Sequence, residues 1–163
     1  MSNENYTMIE KFLSEKLEID NAIEIKMDAK QENEKLARNL IASFLLELNP
    51  SIEEISDVKT VISEAVTNCI VHGYNKGKGI ITIQAKLSGN FLFLKISDNG
   101  VGISDIKKAM QPFFTTKPDE ERSGMGFTVM ETFMDELDVV ENIGGGVVVY
   151  MSKEILSAEN VAV

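Results

Sequence analysis

The chain has 163 residues, 44% of them hydrophobic, and a formal net charge of −10. That length suits one domain with a real core, and that composition excludes a disordered tail or a membrane-spanning protein. The acidic balance speaks against nucleic acid as a direct ligand, because phosphate backbones reward basic surfaces, and leaves room for a basic protein partner.

The single cysteine, Cys69, leaves no internal disulfide framework, and a single histidine leaves no His/Cys metal cluster to assemble. The start, Met1-Ser2-Asn3-Glu4-Asn5, lacks the basic opening and apolar middle of a signal peptide. A reducing cytoplasm is the expected setting.

In chain order, Met8, Ile9, Phe12, Leu13 and Leu17 share a helix face within residues 3–18. Ile23, Ile25 and Met27 alternate as in a strand. Leu36, Ala37, Leu40, Ile41, Phe44, Leu45 and Leu48 then form a helical stripe across 29–48, which Asn49-Pro50 ends. A second long helix is expected from about Ser51 or Glu53 to His72, closed by Gly73. Ile81, Ile83, Ala85 and Leu87 alternate with polar residues, and Ser88-Gly89-Asn90 turns that strand into Phe91–Ile96. The pattern weakens over 104–123 apart from a short helical piece near 105–111. Phe127, Met130, Phe133, Met134 and Leu137 mark a last helix, followed by strands near 137–141 and 147–151. No repeat or linker appears, so an α+β layer fold is the economical expectation.

Three short segments can carry chemistry. On the second long helix, Val58, Val61, Ile62, Ala65 and Cys69 define the buried stripe, and Glu64 and Asn68, spaced i, i+4, stand one above the other beside it. The Asn68 carboxamide oxygen suits Mg²⁺, and Glu64 could take a proton from an attacking hydroxyl. An isolated pair of this kind is more often a solvated helix face. Asp98-Asn99-Gly100-Val101-Gly102 follows a strand, which puts a carboxylate at a mouth with glycines that permit close approach, although the same letters also spell an ordinary turn. Arg122-Ser123-Gly124-Met125-Gly126-Phe127 leads into a helix, whose free N–H groups and positive dipole end suit a phosphate. No P-loop, no G-x-G-x-x-G after a strand and no His-Arg-Asp kinase set occurs, so a bound nucleotide would use another kind of site. His72 and Cys69 read as packed side chains, and the Met/Phe-rich stretch 127–137 as core.

Taken together and in this order, Glu64-x-x-x-Asn68, Asp98-x-Gly100-x-Gly102 and Gly124-x-Gly126 resemble the N, G1 and G2 boxes of the GHKL (Bergerat-fold) ATPase/kinase superfamily. The strings Ser63-Glu64-Ala65-Val66-Thr67-Asn68-Cys69-Ile70-Val71-His72-Gly73-Tyr74 and Gln111-Pro112-Phe113-Phe114-Thr115-Thr116-Lys117-Pro118 resemble the sporulation anti-sigma factor family of serine protein kinases, with similarity from about Ile23 to Met151.

The resemblance implies a two-layer α/β sandwich, its mixed and mostly antiparallel sheet covered by helices on one face. Residues 1–21 would be an N-terminal extension, 22–152 the ATPase/kinase domain with an ATP lid at about 104–123, and 153–163 a tail. Asp98 would accept the adenine amino group, with Gly100 and Gly102 giving the base room. Asn68 would hold Mg²⁺, and Gly124 and Gly126 would bind the phosphates of ATP. Thr115, Thr116, Lys117 and Arg122 would be the lid's polar contacts, with Ser123 and Met125 in the same loop. Glu64 would be the general base for a partner's serine. Arg38, off the apolar stripe of its helix, would contact the sigma factor or the anti-anti-sigma antagonist, and the chain would form a homodimer without membrane or direct nucleic-acid contact. One position departs from the pattern: where the family carries Gly-Thr entering the last strand, this chain has Gly146-Val147, so no hydroxyl supports the adenine site there. Other readings of the same boxes are a non-catalytic sigma binder switched by nucleotide, the ATP-binding module of a histidine kinase, and an ATP-hydrolysing relative of chaperone and mismatch-repair proteins.

Overall fold

The structure, a computed structural model, describes residues 7–75, 77–102, 110 and 126–157. Five strands form one sheet: β1 (Asn21–Asp28), β2 (Ile80–Ser88), β3 (Phe91–Ser97), β4 (Glu136–Glu141) and β5 (Val147–Glu154), in the order β1-β2-β3-β5-β4. Every neighbouring pair is antiparallel, so the sheet is antiparallel throughout rather than mixed. The register follows from pleating. Ile81, Ile83, Ala85 and Leu87 on β2, and Leu92, Leu94 and Ile96 on β3, point to one face and are almost fully buried.

That face is covered by α2 (Gln31–Leu45), α3 (Ile52–Asn68) and α4 (Gly126–Phe133). Ala37, Ile41 and Leu45 of α2 meet Val58, Val61, Ile62, Ala65 and Val66 of α3 in a single core with the sheet, which Met130 of α4 completes. Ser51 starts α3 with a capping box: its hydroxyl accepts from the Glu54 N–H, and the Glu54 carboxylate accepts from the Ser51 N–H. Two stripe residues expected in the core, Leu36 and Leu40, are instead 51% and 40% exposed. The stripe of α2 is wider than the surface α3 and the sheet can cover.

The helix expected over 3–18 is only α1, Met8–Leu13, started by a Thr7–Glu10 capping box and stopped at Ser14, whose backbone is extended. It lies on the other face of the sheet, where Met8 and Phe12 pack on Phe93, Val148 and Tyr150. Lys86 donates to the Phe12 carbonyl at 2.9 Å and sits 4.2 Å from the centre of its ring. The sheet is therefore helix-covered on one face and partly capped on the other. The last helix also ends earlier than its periodicity implied, at Phe133, because Leu137 belongs to β4. At the C-terminal end β5 continues to Glu154, and Ile155 is fully buried. The lid expected over 104–123 and the helical piece near 105–111 lie outside the described residues except Met110, which packs on the core.

Candidate functional site

The sheet order puts β3 in the middle, so Asp98, the first residue after it, emerges between β2 and β5 at the end of α3. Below Asn68 the helix does not stop but widens into one π turn, Cys69–Gly73, closed by the Tyr74 N–H on the Cys69 carbonyl at 2.9 Å. Such a turn displaces the helix end sideways and is frequent at functional sites. Here it brings Gly73 against the Asp98 turn. A Cβ on Gly73 would stand 3.0 Å from the Asp98 carboxyl carbon, and one on Gly100 would stand 2.0 Å from the Gly73 carbonyl oxygen. The Val101 N–H donates to that same carbonyl at 2.9 Å. On the other side a Cβ on Gly146, whose φ is +93°, would lie 2.1 Å from the Asp98 carbonyl oxygen. Gly73 thus lies against the carboxylate, while Gly100 and Gly146 let the Asp98 turn close on the Gly73 carbonyl and on the turn before β5.

Asp98 is 5% exposed, and its Oδ1 accepts from the Gly100 N–H at 2.9 Å. Burial pushes this carboxyl above its ordinary pKa, while the amides of Gly100 and Val147 and the Cys69 thiol, all donating to it, pull the other way. The Cys69 thiol is itself pushed far up, by burial first and the nearby Asp98 charge second, which keeps it protonated and a donor. Cys69 is buried as its stripe position implied, but it is a partner of Asp98 rather than inert core. Val147 is buried and faces this region without a hydroxyl. Gly102 adopts φ +78°, in the left-handed region.

Glu64 and Asn68 converge on the first residue of α4. A Cβ on Gly126 would lie 3.3 Å from Glu64 Oε2 and 3.2 and 3.3 Å from Asn68 Nδ2 and Oδ1. Both side chains are half-buried, so the pair is packed beside Gly126 rather than fully solvated. The i, i+4 spacing reads out as expected, and Gly126 leaves room that any side chain would fill. The donor set fits a hard cation held mainly by a ligand's oxygens: Asn68 supplies a carboxamide oxygen, and among the described residues no group of three or more His, Cys, Asp and Glu could hold a metal by itself.

The site residues expected at Thr115, Thr116, Lys117, Arg122, Ser123, Gly124 and Met125 lie outside the described residues. Arg38 lies away from this cleft on α2, half-exposed and 3.6 Å from Glu34 in an i, i+4 pair. His72 is half-buried within the π turn. A separate groove of about 620 Å³, lined by Glu53, Glu54, Asp57, Asp135 and Glu136 among others, contains none of the expected site residues. Its surplus of carboxylates would repel phosphates.

Four residues of the Asp98 end were not singled out by sequence as site residues: Gly73, Tyr74, Asn142 and Gly146. Tyr74 accepts the Asn99 N–H at 2.7 Å and donates to the Ile80 carbonyl, and its ring lies where a Gly79 side chain would be. Asn142, in the β4–β5 turn, donates to the Asp98 carbonyl and to Asn99 Oδ1, both at 2.9 Å. Gly73 carried only a helix-end signal, and the Gly144-Gly145-Gly146 run only a turn signal.

The chain is similar to known proteins over most of its length. Residues 27–153 match the family model described as a histidine kinase-like ATPase domain. The chain is 55% identical over 139 residues to an anti-sigma F factor of Thermoanaerobacter sp. (strain X514), covering 85% of this chain and 97% of that protein. It is 49% identical over 142 residues to one of Clostridium acetobutylicum, covering 87% and 99%. It is 46% identical over 140 residues to one of Geobacillus kaustophilus, covering 85% and 96%.

Proposed function

The chain belongs to the anti-sigma F factor family, built on the histidine kinase-like ATPase domain, and on that premise we propose that it binds and inhibits a sporulation RNA polymerase sigma factor and, with Mg·ATP, phosphorylates a serine of an anti-anti-sigma factor. The observation that carries the kinase half is the meeting of Glu64, Asn68 and Gly126 at one helix start, one π turn away from the buried Asp98.

In this reading Asp98 accepts the adenine amino group, held in place by its backbone and thiol donors, and Gly100 and Gly102 leave the base its space. Asn68 holds Mg²⁺ through its carboxamide oxygen. Gly124 and Gly126 offer N–H groups to phosphate oxygens at the start of α4, where the helix dipole adds attraction. Thr115, Thr116, Lys117, Arg122, Ser123 and Met125 close over the phosphates, with the Arg122 fork suited to their oxygens. The metal, when bound, neutralises charge that builds on the transferred phosphoryl group. Glu64 takes the proton of the incoming serine hydroxyl. It stands beside Gly126 and not beside Asp98, so it acts at the phosphate end of the cleft. Positioning and charge stabilisation supply most of the rate in such transfers, which agrees with a site made of one base, one amide and a glycine loop.

The partner surface we assign to α2. Leu36 and Leu40, one turn apart on α2, are exposed and give it an apolar patch, while Arg38 stands on another side of the same helix, paired with Glu34. The same region suits the second copy of a homodimer. A net charge of −10 favours basic protein partners over nucleic acid. Among the described residues no helix is long and apolar enough to cross a membrane.

The test is phosphotransfer from Mg·ATP to the candidate antagonist, followed by mass spectrometry. Phosphoserine in the antagonist is the expected result, and Asn68→Ala should weaken Mg·ATP binding itself. Tight sigma binding with no phosphoserine would overturn the kinase half and leave a nucleotide-switched binder.

A further inference from the structure

The Asp98–Asn99 peptide is gripped at both of its polar ends by residues from opposite sides of the site. Its carbonyl, on Asp98, accepts from Asn142 Nδ2 at 2.9 Å, and its N–H, on Asn99, donates to the Tyr74 hydroxyl at 2.7 Å. Neither anchor floats. The Asn142 amino group also donates to Asn99 Oδ1 at 2.9 Å, and the Asn142 backbone closes its own turn, its N–H on the Gly146 carbonyl at 3.0 Å and its carbonyl accepting the Gly145 N–H at 3.1 Å. Tyr74 donates its hydroxyl proton to the Ile80 carbonyl at the start of β2, with its ring packed where Gly79 lacks a side chain.

The fold explains why these residues meet. β5 lies next to β3 with Ser97 opposite Val148, so the turn that enters β5 stands beside the turn that leaves β3. Gly146, with no Cβ, lets the Asp98 carbonyl come close to that turn and within reach of Asn142. Both partners of the Asn142 amino group are oxygens, so the orientation of its amide is fixed by chemistry. A change of ψ at Asp98 or of φ at Asn99 would carry the Gly100 N–H away from the Asp98 carboxylate that it holds at 2.9 Å. Restraining that peptide at both ends therefore fixes where the carboxylate points.

We propose that Asn142 is a positioning residue for purine recognition, acting with Tyr74 to hold the Asp98–Asn99 peptide so that the Asp98 carboxylate faces a 6-amino purine. It rests on the reading of Asp98 as the adenine acceptor. Asn142 supplies from the β4–β5 turn a polar tie in the region where Val147 offers no hydroxyl. Its amino group is taken up by the Asp98 carbonyl and Asn99 Oδ1, so it acts through Asp98, on selectivity rather than on phosphate binding.

The experiment uses the full chain with Mg²⁺ and two probes, ATP and purine riboside triphosphate, which lacks the 6-amino group. Asn142→Ala should weaken ATP about five- to tenfold, as expected for one hydrogen bond's worth of lost orientation, and leave the amino-less analogue within about twofold. Tyr74→Phe, which keeps the ring over Gly79 and removes only the hydroxyl, should show the same split, and it carries the test by the same criteria if Asn142→Ala does not fold. Equal losses for both nucleotides, or no loss for either, would overturn the proposal, because a merely structural role cannot tell the two probes apart. Asp98→Asn separates the two levels. If it abolishes the preference for ATP while Asn142→Ala leaves the preference intact, the positioning role fails and the adenine reading stands. If Asp98→Asn leaves the preference unchanged, the adenine reading itself fails.

Discussion

The two ends of the cleft are built in opposite ways. At the proposed phosphate end two side chains, Glu64 and Asn68, reach from one helix toward the bare backbone of Gly126. At the proposed purine end one side chain, Asp98, lies against Gly73, and the backbone around it is packed too closely at Gly100 and Gly146 for any Cβ. The first kind of site depends on what its side chains are, and the second on what is missing from its neighbours. Substitutions should therefore fail differently at the two ends: chemistry without folding at one, folding and affinity together at the other.

The largest effect should come from Glu64→Gln. Removing a general base typically costs 10²–10⁴-fold in rate, so phosphoserine yield should fall by about that much while thermal stability stays near wild type. A Glu64→Gln chain that unfolds would break the contrast. Next come Gly100→Ala and Gly146→Ala, whose new methyl groups would meet backbone oxygens at 2.0 and 2.1 Å. Backbone cannot step aside as a flexible side chain can, so each should cost about 3 kcal/mol in urea unfolding, and Gly146 adds the strain of its positive φ.

The pH dependence sharpens the purine end. Burial raises the Asp98 pKa, so the folded chain takes up a proton there more readily than the unfolded one. The stabilisation this gives the nucleotide-free protein is complete below the unfolded value and is lost as pH rises through the raised folded one. With Asp98 as the proposed charged acceptor, ATP binding runs the other way and should weaken as pH falls through the same window. Asp98→Asn should flatten both trends, read by denaturation and by calorimetry across pH.

Smaller effects mark the edge of the contrast, on the sheet face that carries α1. Phe12→Ala deletes a buried ring, but a six-residue helix can undock by itself, which caps the loss at about 1–2 kcal/mol and should leave phosphotransfer unchanged. Lys11→Ala breaks the 2.7 Å pair with Glu136, whose partners are 38% and 40% exposed, and should cost under about 0.5 kcal/mol at moderate salt.

The same contrast explains what the amino-acid sequence revealed. The i, i+4 spacing of Glu64 and Asn68 is a local signal, fixed by helix geometry, and could be read before any tertiary contact was known. The alternation in β2 and β3 was equally local. The Asp98 turn was visible too, but its enclosure was not, because Gly73 and Gly100 are 27 positions apart and Asn142 lies 44 from Asp98. A glycine in sequence says that something may come near without saying what. Cys69 is buried as its stripe position implied, while its hydrogen bond to Asp98 joins residues 29 positions apart and had no local signal. Leu36 and Leu40 fit the α2 stripe by period and are exposed because the stripe extends beyond the surface that covers it.

If recognition and transfer are separately housed, the Mg·ATP affinity of Glu64→Gln, measured by calorimetry, must part from its phosphoserine yield. Affinity should stay within about threefold of wild type with the yield down at least about a hundredfold. Affinity lost in step with the yield, or a yield that survives, would contradict that separation.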